Sequence, residues 1–168
     1  MSVRFMIRVS LITLASCLMT LASAQTAENP SGLPIPRFVS LKNDETNLRT
    51  GPGTRYPIQW VFRRAHMPVE VVDEFDMWRK IRGADGTTGW VHHTMLSGKR
   101  FAMITGKEPR ILRIDSTEES KPLFKAAPDV IGALTECAPL WCRVQVSGRK
   151  AWIQKQYLWG IYNPEVFD

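Results

Sequence analysis

From Phe38 onward the chain is a series of short apolar runs broken by polar turns, and that pattern predicts strands. Residues 38–41, 58–62, 69–74, 78–82, 89–92 and 101–104 are short runs rich in β-branched and aromatic side chains. Residues 110–114, 123–125, 132–136, 141–146 and 150–153 form a second series of the same kind. Gly, Pro and Asp clusters separate the runs. Asp85-Gly86 and Ser147-Gly148 mark hairpins, because glycine tolerates the positive φ that a primed turn requires. No stretch of ten or more residues sustains a 3.6-residue period. The predicted fold class is all-β.

The second series re-runs the first. Asp76-Met77-Trp78-Arg79-Lys80-Ile81, Gly86-Thr87-Thr88-Gly89-Trp90-Val91 and Met95-Leu96 return as Pro139-Leu140-Trp141-Cys142-Arg143-Val144, Gly148-Arg149-Lys150-Ala151-Trp152-Ile153 and Tyr157-Leu158. The tryptophans lie 12 residues apart in the first copy and 11 in the second. This predicts two tandem β-barrel modules, over 37–104 and 105–166, the second degenerate. Each is too short to house an enzyme, which points to a binding protein.

The N-terminus carries Arg4 and Arg8, an apolar run over 9–21, and Ala22-Ser23-Ala24 before Gln25. That is the layout of a secretory signal peptide over 1–24. Thirteen mildly apolar residues fall short of the ~20 that span a bilayer, so no transmembrane segment is expected in the mature chain. The expected location is exported and periplasmic. The alternative is a lipoprotein acylated at Cys17, because Leu14-Ala15-Ser16-Cys17 resembles a lipobox. Residues 25–36 read as a flexible leader, interrupted by Pro30, Pro34 and Pro36.

Loss of the signal would lower the formal charge from +6 to +4, since Arg4 and Arg8 leave with it. The basic residues are scattered rather than tracted, which argues against nucleic acid and is compatible with an anionic envelope polymer. Cys137 and Cys142 then remain in an oxidising compartment. Across a tight hairpin their Cα atoms come within the ~6 Å of a disulfide, and they lack the C-x-x-C spacing of a redox pair. A structural disulfide is the preferred reading.

The motifs also resemble those of the bacterial SH3-like (SH3b) domain family, in particular exported SH3-like domain proteins of unknown function. Asn47-Leu48-Arg49-Thr50-Gly51-Pro52-Gly53-Thr54-Arg55-Tyr56-Pro57 is similar to the family's N-x-R-x-G-P-G-x-x-Y-P opening. Further landmarks are Pro68-Val69-Glu70-Val71-Val72, Gly89-Trp90-Val91 and Leu158-Trp159-Gly160-Ile161-Tyr162. The resemblance implies small β-barrels, an envelope location and cell-wall or peptide binding. The second module departs from it: Glu119-Ser120-Lys121-Pro122-Leu123-Phe124 stands where the opening is expected.

Strand parity places Ile81, Cys142 and Val144 inward and Trp78 and Trp141 outward. Similarity to the ending of eukaryotic SH3 domains implies grooves at Trp78, His92 and Met95, and at Trp141, Gln154 and Tyr157. Arg49, Tyr56 and Trp60 complete the candidate ligand-binding residues. Arg49 also has a plain reading, as a brace for the Gly51-Pro52-Gly53 loop. The tryptophans likewise have one, as covers for a barrel end or the seam between modules.

No catalytic residues, metal or cofactor are expected. His92 and His93 are adjacent on a predicted strand and should face opposite ways, and Asp73-Glu74 should be a solvated strand end. The expected function is non-catalytic binding of peptidoglycan or its stem peptides through aromatic grooves. The alternative is an adaptor or regulator that docks an envelope protein.

Overall fold

Strands form where the alternation places one side chain of each pair in a core, and the structure, a computed structural model, describes residues 29–168. The signal-peptide segment and Cys17 lie outside the described residues. The first seven strands are β1 (Arg37–Leu41), β2 (Thr46–Arg49), β3 (Ile58–Phe62), β4 (Pro68–Phe75), β5 (Trp78–Arg82), β6 (Thr88–His92) and β7 (Leu96–Ser97). The second seven are β8 (Phe101–Ile104), β9 (Arg110–Arg113), β10 (Pro122–Ala126), β11 (Ile131–Cys137), β12 (Trp141–Val146), β13 (Arg149–Gln154) and β14 (Leu158–Trp159).

They build two antiparallel sheets of seven strands, in the orders β3-β2-β6-β5-β4-β1-β7 and β10-β9-β13-β12-β11-β8-β14. Adding seven to each number of the first order gives the second, so the repeat in the sequence is a repeat of topology. Each sheet surrounds its own core. Leu41, Leu48, Val69, Val71, Ile81 and Val91 fill the first without exposure. Ile104, Leu112, Cys142, Val144 and Ile153 lead the second. The register slips between Val71 and Asp73 in one module and between Leu134 and Glu136 in the other, a bulge that bends the strand at the same place in both.

The module boundary needs correction. Residues 101–104 were expected to close the first module, but β8 pairs with β11 and β14, the place that β1 holds beside β4 and β7. The second sheet therefore begins at Phe101. The Ser147-Gly148 turn has φ values of 48° and 79°, both positive as a two-residue primed turn demands. The Asp85-Gly86 hairpin is longer, closing through Gly83 N–H to the Thr87 carbonyl.

The described part of the leader is tied down. Ser31 donates both its backbone N–H and its hydroxyl to Glu74, at 2.9 and 2.7 Å. Arg37 and Arg79 reach the same carboxylate at 2.6 and 3.1 Å, and the Glu74 side chain has no exposure at all. Glu74 is thus not the solvated strand end that its neighbour Asp73 suggested. Burial alone would raise its pKa, but the bonds from Ser31 and Arg37 hold it below the ordinary carboxylate range.

The two sheets meet along a seam of aromatic and polar contacts. Phe38 touches Trp159 edge-on at 5.0 Å and Tyr162 at 4.6 Å. The Trp159 indole N–H donates to the Pro68 carbonyl at 3.0 Å. The Tyr162 hydroxyl donates to buried Glu70 at 2.7 Å, and Arg82 Nε donates to that carboxylate at 2.8 Å. Gly160, at φ 117°, passes so close that a Cβ there would stand 2.4 Å from the Phe101 carbonyl oxygen. Only glycine fits.

Candidate functional site

Each module presents a groove beside its second hairpin, built by cross-strand pairing. In the first, Trp78 on β5 is the register partner of His92 on β6, and their rings meet edge-on at 5.4 Å. The chain leaves β6 in a single 3-10 turn, His93–Met95, which carries Met95 to the same side. A cleft of about 340 Å³ lies among Glu45, Asn47, Arg49, Thr54, Trp78, His92 and Met95. Four of the sequence-predicted residues therefore meet in one place.

The second module repeats the construction. Trp141 on β12 pairs with Gln154 on β13, and the 3-10 turn Lys155–Tyr157 delivers Tyr157. Two adjoining clefts, of about 330 and 530 Å³, share Trp141, Gln154 and Glu118. Both tryptophans are half-buried, with the core-facing neighbours Arg79 and Cys142 buried beside them. Strand alternation produces this split: the residue after each tryptophan points inward, so the indole lies on the outer face. Neither indole belongs to the seam, which uses Trp159.

Arg49 braces its loop by donating to the carbonyls of Thr54 and Tyr56, at 3.1 and 2.8 Å. Its counterpart in the second module is Arg113, which sequence reasoning missed. Arg49 pairs with Trp90 as Arg113 pairs with Trp152. Arg113 also donates seven residues ahead, to the Ser120 carbonyl at 2.6 Å, just as Arg49 reaches Tyr56. The opening of the second module is therefore Arg110-Ile111-Leu112-Arg113. The shared signal was the Leu-Arg pair, Leu48-Arg49 and Leu112-Arg113, whose leucines both have 0% exposure.

Tyr56 and Trp60 stand apart from the grooves. The Tyr56 ring folds onto the Gly51 backbone, under the Arg55 guanidinium at 5.2 Å. Trp60 is 58% exposed on β3, an edge strand of its sheet. The histidine expectation also changes. The His92 and His93 rings lie 4.8 Å apart rather than on opposite faces, because the chain stops being a strand at His93. Among the described residues no three His, Cys, Asp or Glu side chains gather as a metal site.

Cys137 and Cys142 form the expected disulfide, as register partners with Cα atoms 4.1 Å apart. The bond closes the hairpin whose tip, Pro139-Leu140, lines the second groove. Cys137 also exchanges both backbone hydrogen bonds with Phe167, which fastens the C-terminal segment.

The fold and its paired grooves define a tandem β-module, and comparison identifies the class. The chain belongs to the bacterial SH3 domain family, whose family model matches residues 42–98 and 106–160. No curated protein matches it. Among solved structures it is similar to an NlpC/P60 family protein from Bacillus cereus, at 16% identity and a TM-score of 0.33, over 73% of this chain and 55% of that one. NlpC1 from Trichomonas vaginalis matches at 8% identity and 0.33, over 75% and 46%, and NlpC2 from the same organism at 10% and 0.34, over 74% and 48%. The chain thus spans about half the length of these proteins. Among the described residues no helix is long and apolar enough to cross a membrane.

Proposed function

We propose that this protein is an exported, non-catalytic binding protein of the bacterial cell envelope. Its ligand is peptidoglycan, gripped through the stem peptides in the two grooves. One observation carries the reading: both modules raise a half-buried tryptophan at the same register position, against a polar wall that includes a loop-bracing arginine. An indole beside fixed polar groups suits a sugar or peptide that is partly apolar and partly hydrogen-bonding. The Cys137–Cys142 disulfide agrees with an oxidising compartment outside the cytosol.

Retention on purified sacculi tests this. The full chain should sediment with them at low salt, Trp78→Ala and Trp141→Ala should each weaken retention, and the double variant should remain in solution. Failure of the wild type to sediment would defeat the proposal.

A second reading, an adaptor for an envelope protein, is favoured by one feature. Ile58 and Trp60 are both exposed on edge strand β3, away from the grooves. An adaptor should crosslink in cells to one dominant protein, and Trp60→Ala should abolish that product.

A further inference from the structure

The second groove holds a cation that has no ion-pair partner among the described residues. The Arg110 guanidinium lies over the Tyr157 ring, 4.1 Å from its centroid. Gly106, at φ 105°, makes the space it occupies: a Cβ there would stand 2.6 Å from Arg110 Nη2. Its Nε is buried without a hydrogen-bond partner. Among the described residues Arg110 forms no ion pair. Glu118, the acid of this groove, instead accepts from the Gln154 side chain at 2.7 Å. The neighbouring Arg113 is committed to the Ser120 carbonyl.

A stacked guanidinium is held in place while its charge stays available. Its planar fork matches a carboxylate, and a pre-positioned fork loses little freedom on binding one. The first groove has no such feature. The position of Arg110 is taken there by buried Thr46, and Glu45 lines the same end. The twin grooves therefore differ in charge.

We propose that the second groove seats a free carboxylate of a wall peptide on Arg110, whereas the first groove does not select for one. This rests on the reading of the grooves as wall-binding sites.

The test uses purified sacculi, untreated and with their carboxylates converted to amides by carbodiimide and ammonia. Wild type should bind the amidated material about tenfold more weakly, the scale of one charged hydrogen bond. Arg110→Gln should bind untreated sacculi about tenfold more weakly than wild type and be indifferent to amidation. Lys150→Gln removes an exposed charge outside the groove and should follow wild type. Arg110→Lys keeps the charge without the fork and should fall between, and it carries the comparison if Arg110→Gln does not fold.

A folded Arg110 variant that binds like wild type, or stays equally sensitive to amidation, overturns the carboxylate proposal. If Trp141→Ala still loses binding, the groove reading stands. Absence of wild-type binding to either material overturns both, and Arg110-dependent capture of an acidic protein would then assign the carboxylate to that partner.

Discussion

Glu74 and Arg79 face each other across the β4–β5 hairpin, with Arg79 Nε 3.1 Å from a fully buried Glu74 oxygen. Cys137 and Cys142 hold the same two positions in the β11–β12 hairpin, each second member directly following the groove tryptophan. An ion pair in one module does the mechanical work of a disulfide in the other. Each also fastens a segment outside its hairpin, Ser31 through Glu74 and Phe167 through Cys137.

Glu74→Ala should destabilise the protein by about 3 kcal/mol, because it strands the Arg37 and Arg79 guanidiniums in a buried site. Urea unfolding of the variant against wild type measures this. A loss under about 1 kcal/mol would show that the carboxylate is solvated after all.

Acid should act at the same place. A carboxyl whose folded pKa is depressed contributes stability above its unfolded value and loses it as pH falls through the folded one. Glu74 is depressed in this sense. So is Glu165, where burial opposes but the Arg100 hydrogen bonds prevail. Stability should hold from neutrality down to the ordinary carboxylate range near pH ~4 and fall steeply below it. Glu74→Gln should flatten that fall in urea midpoints measured from pH 7 to 2.

Reduction of the disulfide, or Cys137→Ala with Cys142→Ala, should cost about 2 kcal/mol, the entropy of so short a loop. Because Pro139 and Leu140 line the second groove, retention on sacculi should weaken for the reduced protein even where it remains folded. Calorimetry and sedimentation, each with and without dithiothreitol, separate the two effects.

At the seam, Gly160→Ala should lose more than about 2 kcal/mol, since the new methyl meets the Phe101 carbonyl and the backbone stays at positive φ. Trp159→Ala should cost about 3 kcal/mol, while Trp78→Ala and Trp141→Ala should cost about half as much. Equal losses at all three tryptophans would mean that the groove indoles are structural.

The sequence displayed much of this because burial alternates residue by residue in β5, in β6 and at the start of β12. Trp78-Arg79-Lys80-Ile81 and Trp141-Cys142-Arg143-Val144 show their faces directly, and their cross-strand partners then follow from one hairpin. What stayed hidden depends on contacts far apart in the chain. Ser31 meets Glu74 across 43 residues and Tyr162 meets Glu70 across 92. Strand β2 was obscured because its Thr46-Asn47-Leu48-Arg49 runs straight into the Gly51-Pro52-Gly53 turn, which dominates the local signal. Two-residue strands such as β7 and β14 carry too few side chains to show a period. Arg113 was missed because the loop after it has lost the glycines that mark the loop after Arg49.

The Tyr162–Glu70 and Trp159–Pro68 bonds tie the two sheets together along the seam. If the grooves bind wall polymer as proposed, a strand caught by one indole would meet the other at a preferred offset, as a key meets the second tumbler of a lock. On that reading, the spacing between attachment points along the polymer, and not only their chemistry, would set how tightly it is held.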